Sequence, residues 1–219
     1  FGGIVQLVDS AESSGGKFRI LVVPDPNDDP WPSAQYLRQG VQAESAFAAA
    51  ARALPPHDPR AAIGLASSLA MQERWSEAAT TWRRVAAQKP DDPAVQRSFA
   101  FSLWRAGTPD SAETIYRTLI ARDERDASAR NELAWLLTRT GRYPGEAVQL
   151  ARAAFRLRPD SDTADTLLES LLAAGDRPTA RAWLDSLAAA APPSLGPDAI
   201  RALRERWEQR PESGTLDDG

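Results

Sequence analysis

The sequence contains no cysteine and only one histidine. Without cysteine, the chain can form no disulfide, no thiolate metal site and no cysteine nucleophile. The redox compartment stays open, because a protein without thiols is stable in reducing and in oxidising surroundings. The histidine, His57, precedes Asp58 and Pro59 in a predicted turn. A serine triad or a histidine metal site would need partners that the sequence does not position around it.

The sequence also lacks long apolar runs and an excess of positive charge. No run of about 18 apolar residues occurs, so no membrane-spanning helix is predicted. The formal net charge of -4 argues against a nucleic-acid-binding surface, which is normally strongly basic. Only two of the 26 basic residues, Lys17 and Lys89, are lysines; arginine forks suit carboxylates where they line a groove. Because the chain begins with Phe1, we expect any signal peptide or anchor to lie outside this sequence.

The first 33 of the 219 residues are predicted to be extended. Two segments rich in β-branched residues, IVQLVD and KFRILVV, flank the loop SAESSGG, a pattern typical of a β-hairpin over residues 1–24. Four prolines then follow within VVPDPNDDPWPS and exclude a helix, because each lacks an amide donor and fixes φ. Residues 25–33 are therefore predicted to form a rigid Pro-rich linker. Its Trp31 is the side chain expected to dock onto a neighbouring surface.

The linker also contains the beginning of a calcium-binding motif. Asp25, Asn27 and Asp29 match the opening of an EF-hand loop. Pro30 occupies the position that requires glycine, and Tyr36 occupies the position of the closing glutamate, so the match fails. We predict no metal site and no cofactor, and the sequence shows none of the nucleophile or phosphate motifs of an enzyme.

From residue 34 onward, alanine, leucine, arginine and glutamate recur with helical spacing. One pattern with internal offsets of 4, 7 and 12 residues occurs four times, at intervals of 33 to 35 residues. Its copies are Ala78, Trp82, Val85, Pro90; Ala112, Tyr116, Leu119, Glu124; Ala147, Ala151, Ala154, Pro159; and Ala180, Leu184, Leu187, Pro192. Upstream of the first three copies, a small residue stands among large ones, in Leu65-Ala66-Leu69, Phe99-Ala100-Leu103 and Leu133-Ala134-Leu137.

A repeat of this length, with small residues, an aromatic and a closing proline, resembles the tetratricopeptide repeat (TPR) family. The resemblance implies a mostly α fold, a TPR-type α-solenoid of helical hairpins, over residues 34–194. Glu169 would take the small-residue position of the fourth repeat. We expect residues 195–210 to form a capping helix and residues 211–219 a flexible tail. The four repeats are predicted at 59–92, 93–126, 127–161 and 162–194.

In the TPR family, one face of the first helix of each repeat lines a concave groove. Carried onto this chain, that face gives Arg97, Phe101, Trp104 and Arg105 in the second repeat and Asn131, Trp135 and Arg139 in the third. It also gives Ser67 and Met71 in the first repeat and Thr163, Thr166 and Ser170 in the fourth.

Phe101 and Trp135 are 34 residues apart, as are Arg105 and Arg139, so stacked repeats would form one aromatic and one cationic row. Aromatic anchors beside arginines suit a protein or peptide partner that carries carboxylates. The alternative is that Phe101 and Trp135 are covered by neighbouring repeats or by the N-terminal segment, because aromatic residues at helical spacing often belong to a core.

The N-terminal 43 residues carry a second resemblance. The motifs FGG, FRILV, PDP, PWP and YLRQGV, within residues 1–43, resemble the C-terminal β-rich part of haemolysin-secretion-type membrane fusion proteins, the periplasmic adaptors of bacterial exporters. The resemblance implies a bacterial cell envelope, periplasmic or membrane-associated, while a cytoplasmic location stays open.

Two functions remain after these exclusions. The first is a non-enzymatic scaffold that binds a protein or peptide through the TPR groove, as part of a hetero-complex. The second is a permanent structural subunit of a larger, membrane-associated complex, with its repeats buried against neighbours. Purification separates them, because a permanent subunit co-purifies with its neighbours in fixed stoichiometry.

Overall fold

The computed structural model describes residues 4–9, 18–23 and 59–210. The predicted linker with Trp31, the start of the predicted repeats at 34–58 and the predicted tail at 211–219 lie outside these residues. Strands β1 (Ile4–Asp9) and β2 (Phe18–Val23) pair antiparallel, with Ile4 opposite Val23 and Asp9 opposite Phe18. Their connection is not among the described residues, and the hairpin segment as a whole stays a prediction.

Residues 59–210 consist of helices joined by short turns. Within each unit a first helix packs against a second one, as the TPR resemblance predicts, and a last single helix follows. In chain order they are α1 (Pro59–Met71), α2 (Trp75–Gln88), α3 (Pro93–Arg105), α4 (Pro109–Arg122), α5 (Ala127–Arg139), α6 (Pro144–Leu157), α7 (Ser161–Ala173), α8 (Arg177–Ala189) and α9 (Pro197–Gln209).

The first helices α1, α3, α5 and α7 are each 13 residues long and begin 34 residues apart. The aspartates before three of them, Asp92, Asp126 and Asp160, accept hydrogen bonds from backbone N–H groups of the first turn. These caps satisfy donors that have no partner within the helix and so fix where each helix begins.

This spacing corrects the predicted phase of the fourth repeat by one residue. The eighth residue of the first helix is Ala66, Ala100, Ala134 and Leu168, and all four are fully buried. Leu168, not Glu169, therefore occupies the predicted small-residue position. Glu169 becomes the ninth residue of its helix, equivalent to Phe101 and Trp135 in the two preceding repeats.

The turn inside each hairpin contains a residue in the left-handed region of φ. Gly107, Gly141 and Gly175, at φ values of 86°, 64° and 74°, occupy this position in three repeats, and Glu73, at 57°, occupies it in the first. These four residues are also spaced by 34. Tyr143, an extra residue in the turn of the third repeat, has a φ of 48° and is 56% exposed.

The chain divides into two compact units, Phe1–Ile115 and Tyr116–Gly219. Each has its own apolar core. Trp82, 6% exposed, is the large residue in the first core, and Tyr116, fully buried, stands at the same repeat position in the second unit. In the first unit the core contains Ala66, Leu69, Ala78, Val85 and Val95, and in the second Ala134, Ala164, Leu168, Leu171, Leu184, Ile200 and Leu203.

Within residues 59–210, no helix combines the length and the apolar character needed to cross a membrane.

Candidate functional site

In the first unit, the predicted groove residue Phe101 belongs to an aromatic cluster. Its ring lies 5.6 Å from the ring of Trp75 and 5.7 Å from that of Trp104, both edge-to-face. This is the arrangement that the charge distribution of aromatic rings favours. Phe101 and Trp104 are half-buried, whereas Trp75 is 9% exposed. Phe101 is therefore partly accessible, and it packs against Trp75, which the sequence analysis did not predict as a site residue.

The cation of this cluster is Arg105, in the last turn of α3. Its side chain is exposed, and its guanidinium carbon lies 4.4 Å from the ring centre of Trp75 and 5.9 Å from that of Phe101. Stacking on a ring orders the planar guanidinium, whose fork of N–H donors matches the geometry of a carboxylate. The structure thus brings Phe101, Trp104 and Arg105 together. Arg97 is half-buried and lies one turn before Phe101 on the same helix.

In the second unit, three predicted residues share one face of α5. Asn131, Trp135 and Arg139 are four residues apart, and the guanidinium carbon of Arg139 lies 5.7 Å from the ring centre of Trp135. Trp135 and Asn131 are half-buried and Arg139 is exposed. The side-chain oxygen of Asn131 is buried and has no hydrogen-bond partner among the described residues. This face therefore presents a stacked cation, whereas the oxygen of Asn131 is not accessible to a ligand.

The fourth repeat does not present the residues predicted for it. Thr163, Thr166 and Ser170 are at most 4% exposed, so the prediction that they line a groove is wrong. Ser170 donates to the carbonyl of Thr166 at 2.7 Å, so the 2.8 Å contact between Thr138 and Ser170 requires Thr138 to donate. The prediction placed the start of α7 one residue too late and so assigned these core residues to the exposed face of the helix.

Two predicted groove residues of the first repeat are buried as well. Ser67 is 7% exposed and Met71 is 1% exposed. Neither side chain is open to a ligand, so the prediction that these two residues line a groove is wrong.

Carboxylates take the groove position of the fourth repeat. Asp165 and Glu169 are the fifth and ninth residues of α7, equivalent to Asn131 and Trp135 on α5. Asp165 is bound by Arg206 at 3.0 Å and Glu169 by Arg210 at 2.5 Å. Burial raises the pKa of Asp165, and Arg206 opposes this effect. The sequence signal that could have identified Asp165 and Glu169 is the 34-residue spacing of the capping aspartates, which gives the correct start of α7.

The described residues contain no group of three acidic or histidine side chains able to hold a metal ion. Trp31, the predicted docking residue, is not among them. The alignment of Phe101 with Trp135 in one row also stays a prediction, because they belong to different units.

Comparison with solved structures finds the same fold. TTC0263, a thermophilic TPR protein of Thermus thermophilus, aligns with a TM-score of 0.59 and 18% identity, over 80% of this chain and 96% of that one. A double mutant of MamA RS-1 aligns with a TM-score of 0.58 and 16% identity, over 80% and 92%. YrrB, described as a TPR protein with an unusual peptide-binding site, aligns with a TM-score of 0.53 and 14% identity, over 80% and 92%.

Among curated protein sequences, no match is found. The tetratricopeptide repeat family profile, however, matches residues 32–93 and 99–162, more than half of the sequence. Together with the recurring helical hairpins and their buried alanines, this match shows that the chain belongs to the tetratricopeptide repeat family.

Proposed function

We propose that this protein is a non-enzymatic scaffold that binds a protein or peptide bearing carboxylates. TPR proteins are generally protein-interaction scaffolds. The observation that carries the proposal is an arginine stacked on a tryptophan in each unit, Arg105 on Trp75 and Arg139 on Trp135. Both arginines end a first helix, and both stand beside half-buried aromatic rings.

The chemistry of these two sites favours an acidic partner. A stacked guanidinium is already ordered, so binding a carboxylate costs less side-chain entropy than it would for a free arginine. The neighbouring rings of Phe101 and Trp104 supply apolar area, which is the other component of an interaction hot spot.

A double charge reversal tests the proposal. Arg105→Glu with Arg139→Glu should abolish capture of the partner in a pull-down from the source organism, followed by mass spectrometry. The matched control is Arg83→Glu with Arg156→Glu, which makes the same charge change on exposed residues of the second helices, one in each unit. If both double variants captured the partner as well as the wild type does, the partner would not bind through Arg105 and Arg139, and the proposed groove would be wrong.

The same experiment separates a scaffold from a permanent subunit. A partner that binds reversibly is lost on dilution, whereas permanent neighbours co-purify in fixed stoichiometry whatever happens at Arg105 and Arg139.

We place this scaffold in a bacterial cell-envelope assembly, as a component of a hetero-complex. The support is the resemblance of residues 1–43 to periplasmic adaptor proteins, in which Trp31 is the proposed docking residue. Proximity labelling in the source organism tests this setting, and a labelled set confined to cytoplasmic proteins would overturn it. The identity of the labelled neighbours would also name the complex.

A further inference from the structure

We infer that the first-helix face of the fourth repeat is a second recognition surface, acidic rather than basic, which helix α9 of the same chain occupies as an internal ligand. The outside partner that fits it is a helix carrying two guanidinium groups one turn apart. This goes beyond the proposed function, which concerns carboxylate recognition by the second and third repeats. All of the residues involved belong to the second unit.

The acidic and basic pairs match in spacing. Asp165 and Glu169 are four residues apart on α7, and Arg206 and Arg210 are four residues apart at the end of α9 and its C-cap. Residues at this spacing lie on one face of a helix. The pairs form in the same order along both helices, at 3.0 Å and 2.5 Å. Two cations one turn apart are therefore the ligand chemistry that this face accepts.

Leaving the two carboxylates unoccupied would be costly. The side chain of Glu169 is only 9% exposed, and that of Asp165 is 36% exposed. A buried carboxylate without a cation is strongly unfavourable, because the interior replaces the lost hydration poorly. Burial raises the pKa of Asp165 even with Arg206 beside it. The face therefore needs a cationic occupant in either state, α9 or a partner.

Helix α9 is attached in two different ways along its length. Its N-terminal half is fixed in the apolar core by Ile200 and Leu203, which are 8% and 2% exposed. Its last turn is held by the ion pairs of Arg206 and Arg210, which remain 43% and 37% exposed, and by Trp207, which is half-buried against the same core. The two exposed ion pairs can open locally while the core stays closed.

Trp207 also makes contacts with two arginines of α8. Trp207 lies under two guanidinium groups, with Arg177 at 4.9 Å and Arg181 at 5.9 Å from its ring centre. Arg177 also donates to the backbone oxygen of Arg210 at 3.0 Å. The indole nitrogen of Trp207 is buried and has no hydrogen-bond partner among the described residues, so the tryptophan is not locked by a donor bond. The ligand that this face accepts therefore includes an aromatic residue between its two arginines, as Trp207 stands between Arg206 and Arg210.

A labelled, helix-stapled peptide with the sequence of residues 205–210, the last turn of α9 with its C-cap, tests this inference by fluorescence anisotropy. In the wild type, the tethered α9 competes at an effective concentration of about millimolar, so the added peptide should bind weakly. Arg206→Gln with Arg210→Gln should release the last turn, and the peptide should then bind at least about tenfold more tightly than to the wild type. Equal affinity for both proteins would overturn the inference.

Two controls connect the effect to the charges. A peptide with glutamate in place of both arginines should not bind the glutamine variant, and binding of that peptide would count against the inference. The charge-swapped protein, with Asp165→Arg and Glu169→Arg added to Arg206→Glu and Arg210→Glu, should restore the closed state and exclude the original peptide.

Folding is followed by circular dichroism during heating. If the glutamine variant loses its cooperative transition, α9 is a fixed structural cap and the inference is wrong. If the variant melts cooperatively and gains peptide binding, the last turn is displaceable.

Discussion

The guanidinium carbon of Arg105 on α3 lies 4.4 Å from the ring centre of Trp75 at the start of α2. The contact joins the first two repeats. An exposed cation over a tryptophan contributes about 0.5–1 kcal/mol.

A double-mutant cycle with Trp75→Leu and Arg105→Gln should therefore show a coupling of about this size in urea denaturation. Pairing Trp75→Leu with Arg83→Gln, a substitution on the exposed surface of α2, should give additive effects. Additivity in both pairs would mean that the ring does not hold Arg105.

Glu73 offers a direct test of the turn geometry. Replacing it with glycine should raise the free energy of unfolding by about 1 kcal/mol, because a side chain in the left-handed region costs about 1–2 kcal/mol and the greater freedom of glycine in the unfolded chain offsets part of the gain. Thermal and urea unfolding measure the change.

The reverse substitution serves as the control. Gly107→Ala should destabilise the protein by about 1 kcal/mol. No atom lies within 4 Å of a Cβ built at Gly107, so the cost comes from the backbone and not from a clash. A destabilised Glu73→Gly variant would contradict the equivalence of the two turns.

Trp82 tests the packing of the first core. It is 6% exposed and packs among the apolar side chains of α1, α2 and α3. Trp82→Ala should cost about 3–5 kcal/mol, as expected for a buried large-to-small change. Arg83→Ala, on the exposed side of the same helix, should change stability by less than about 0.5 kcal/mol. A cost below about 1 kcal/mol for Trp82→Ala would show that the repeat phase is wrong.

Glu146 carries the expected pH dependence. Arg117 donates to both of its carboxylate oxygens, at 2.6 and 3.0 Å, and these hydrogen bonds lower the pKa of Glu146 although burial opposes them. Because the folded pKa is lowered, the stabilisation is present above the ordinary glutamate pKa and is lost as the pH falls below it. The effect on stability is small, since the carboxylate side chain is 34% exposed.

An NMR titration of the Glu146 carboxyl measures this shift. Arg117→Ala should return the pKa towards its ordinary value. An unchanged titration in that variant would show that the ion pair does not form in solution.

The sequence predicted the helical repeats well because their period is carried by buried small residues. Ala66, Ala100 and Ala134 occupy the same place in three helices, and burial leaves little choice of residue there. The site was predicted less completely. Trp75 begins a second helix, and the groove face was inferred only from first helices, so a contact between neighbouring repeats could not be seen in one helical pattern.

The phase of the fourth repeat was predicted wrongly for a local reason. Tyr143 adds one residue to the turn between α5 and α6. The sequence prediction extended this shift to α7 and placed its start one residue too late. The regular spacing of Asp92, Asp126 and Asp160 contained the correct phase, because a capping side chain marks the helix start whatever residues the helix itself contains.

The extra Tyr143 has a consequence for how this chain tolerates changes in length. The connection from α6 to α7, residues 158–160, is one residue shorter than the connection from α4 to α5, residues 123–126. The insertion is thus cancelled before the next first helix begins, and α7 keeps the face that its predecessors present. One helical hairpin can absorb a gained residue and a lost one without changing where the next first helix begins, so mutation can reshape a single turn while the following repeat stays in register.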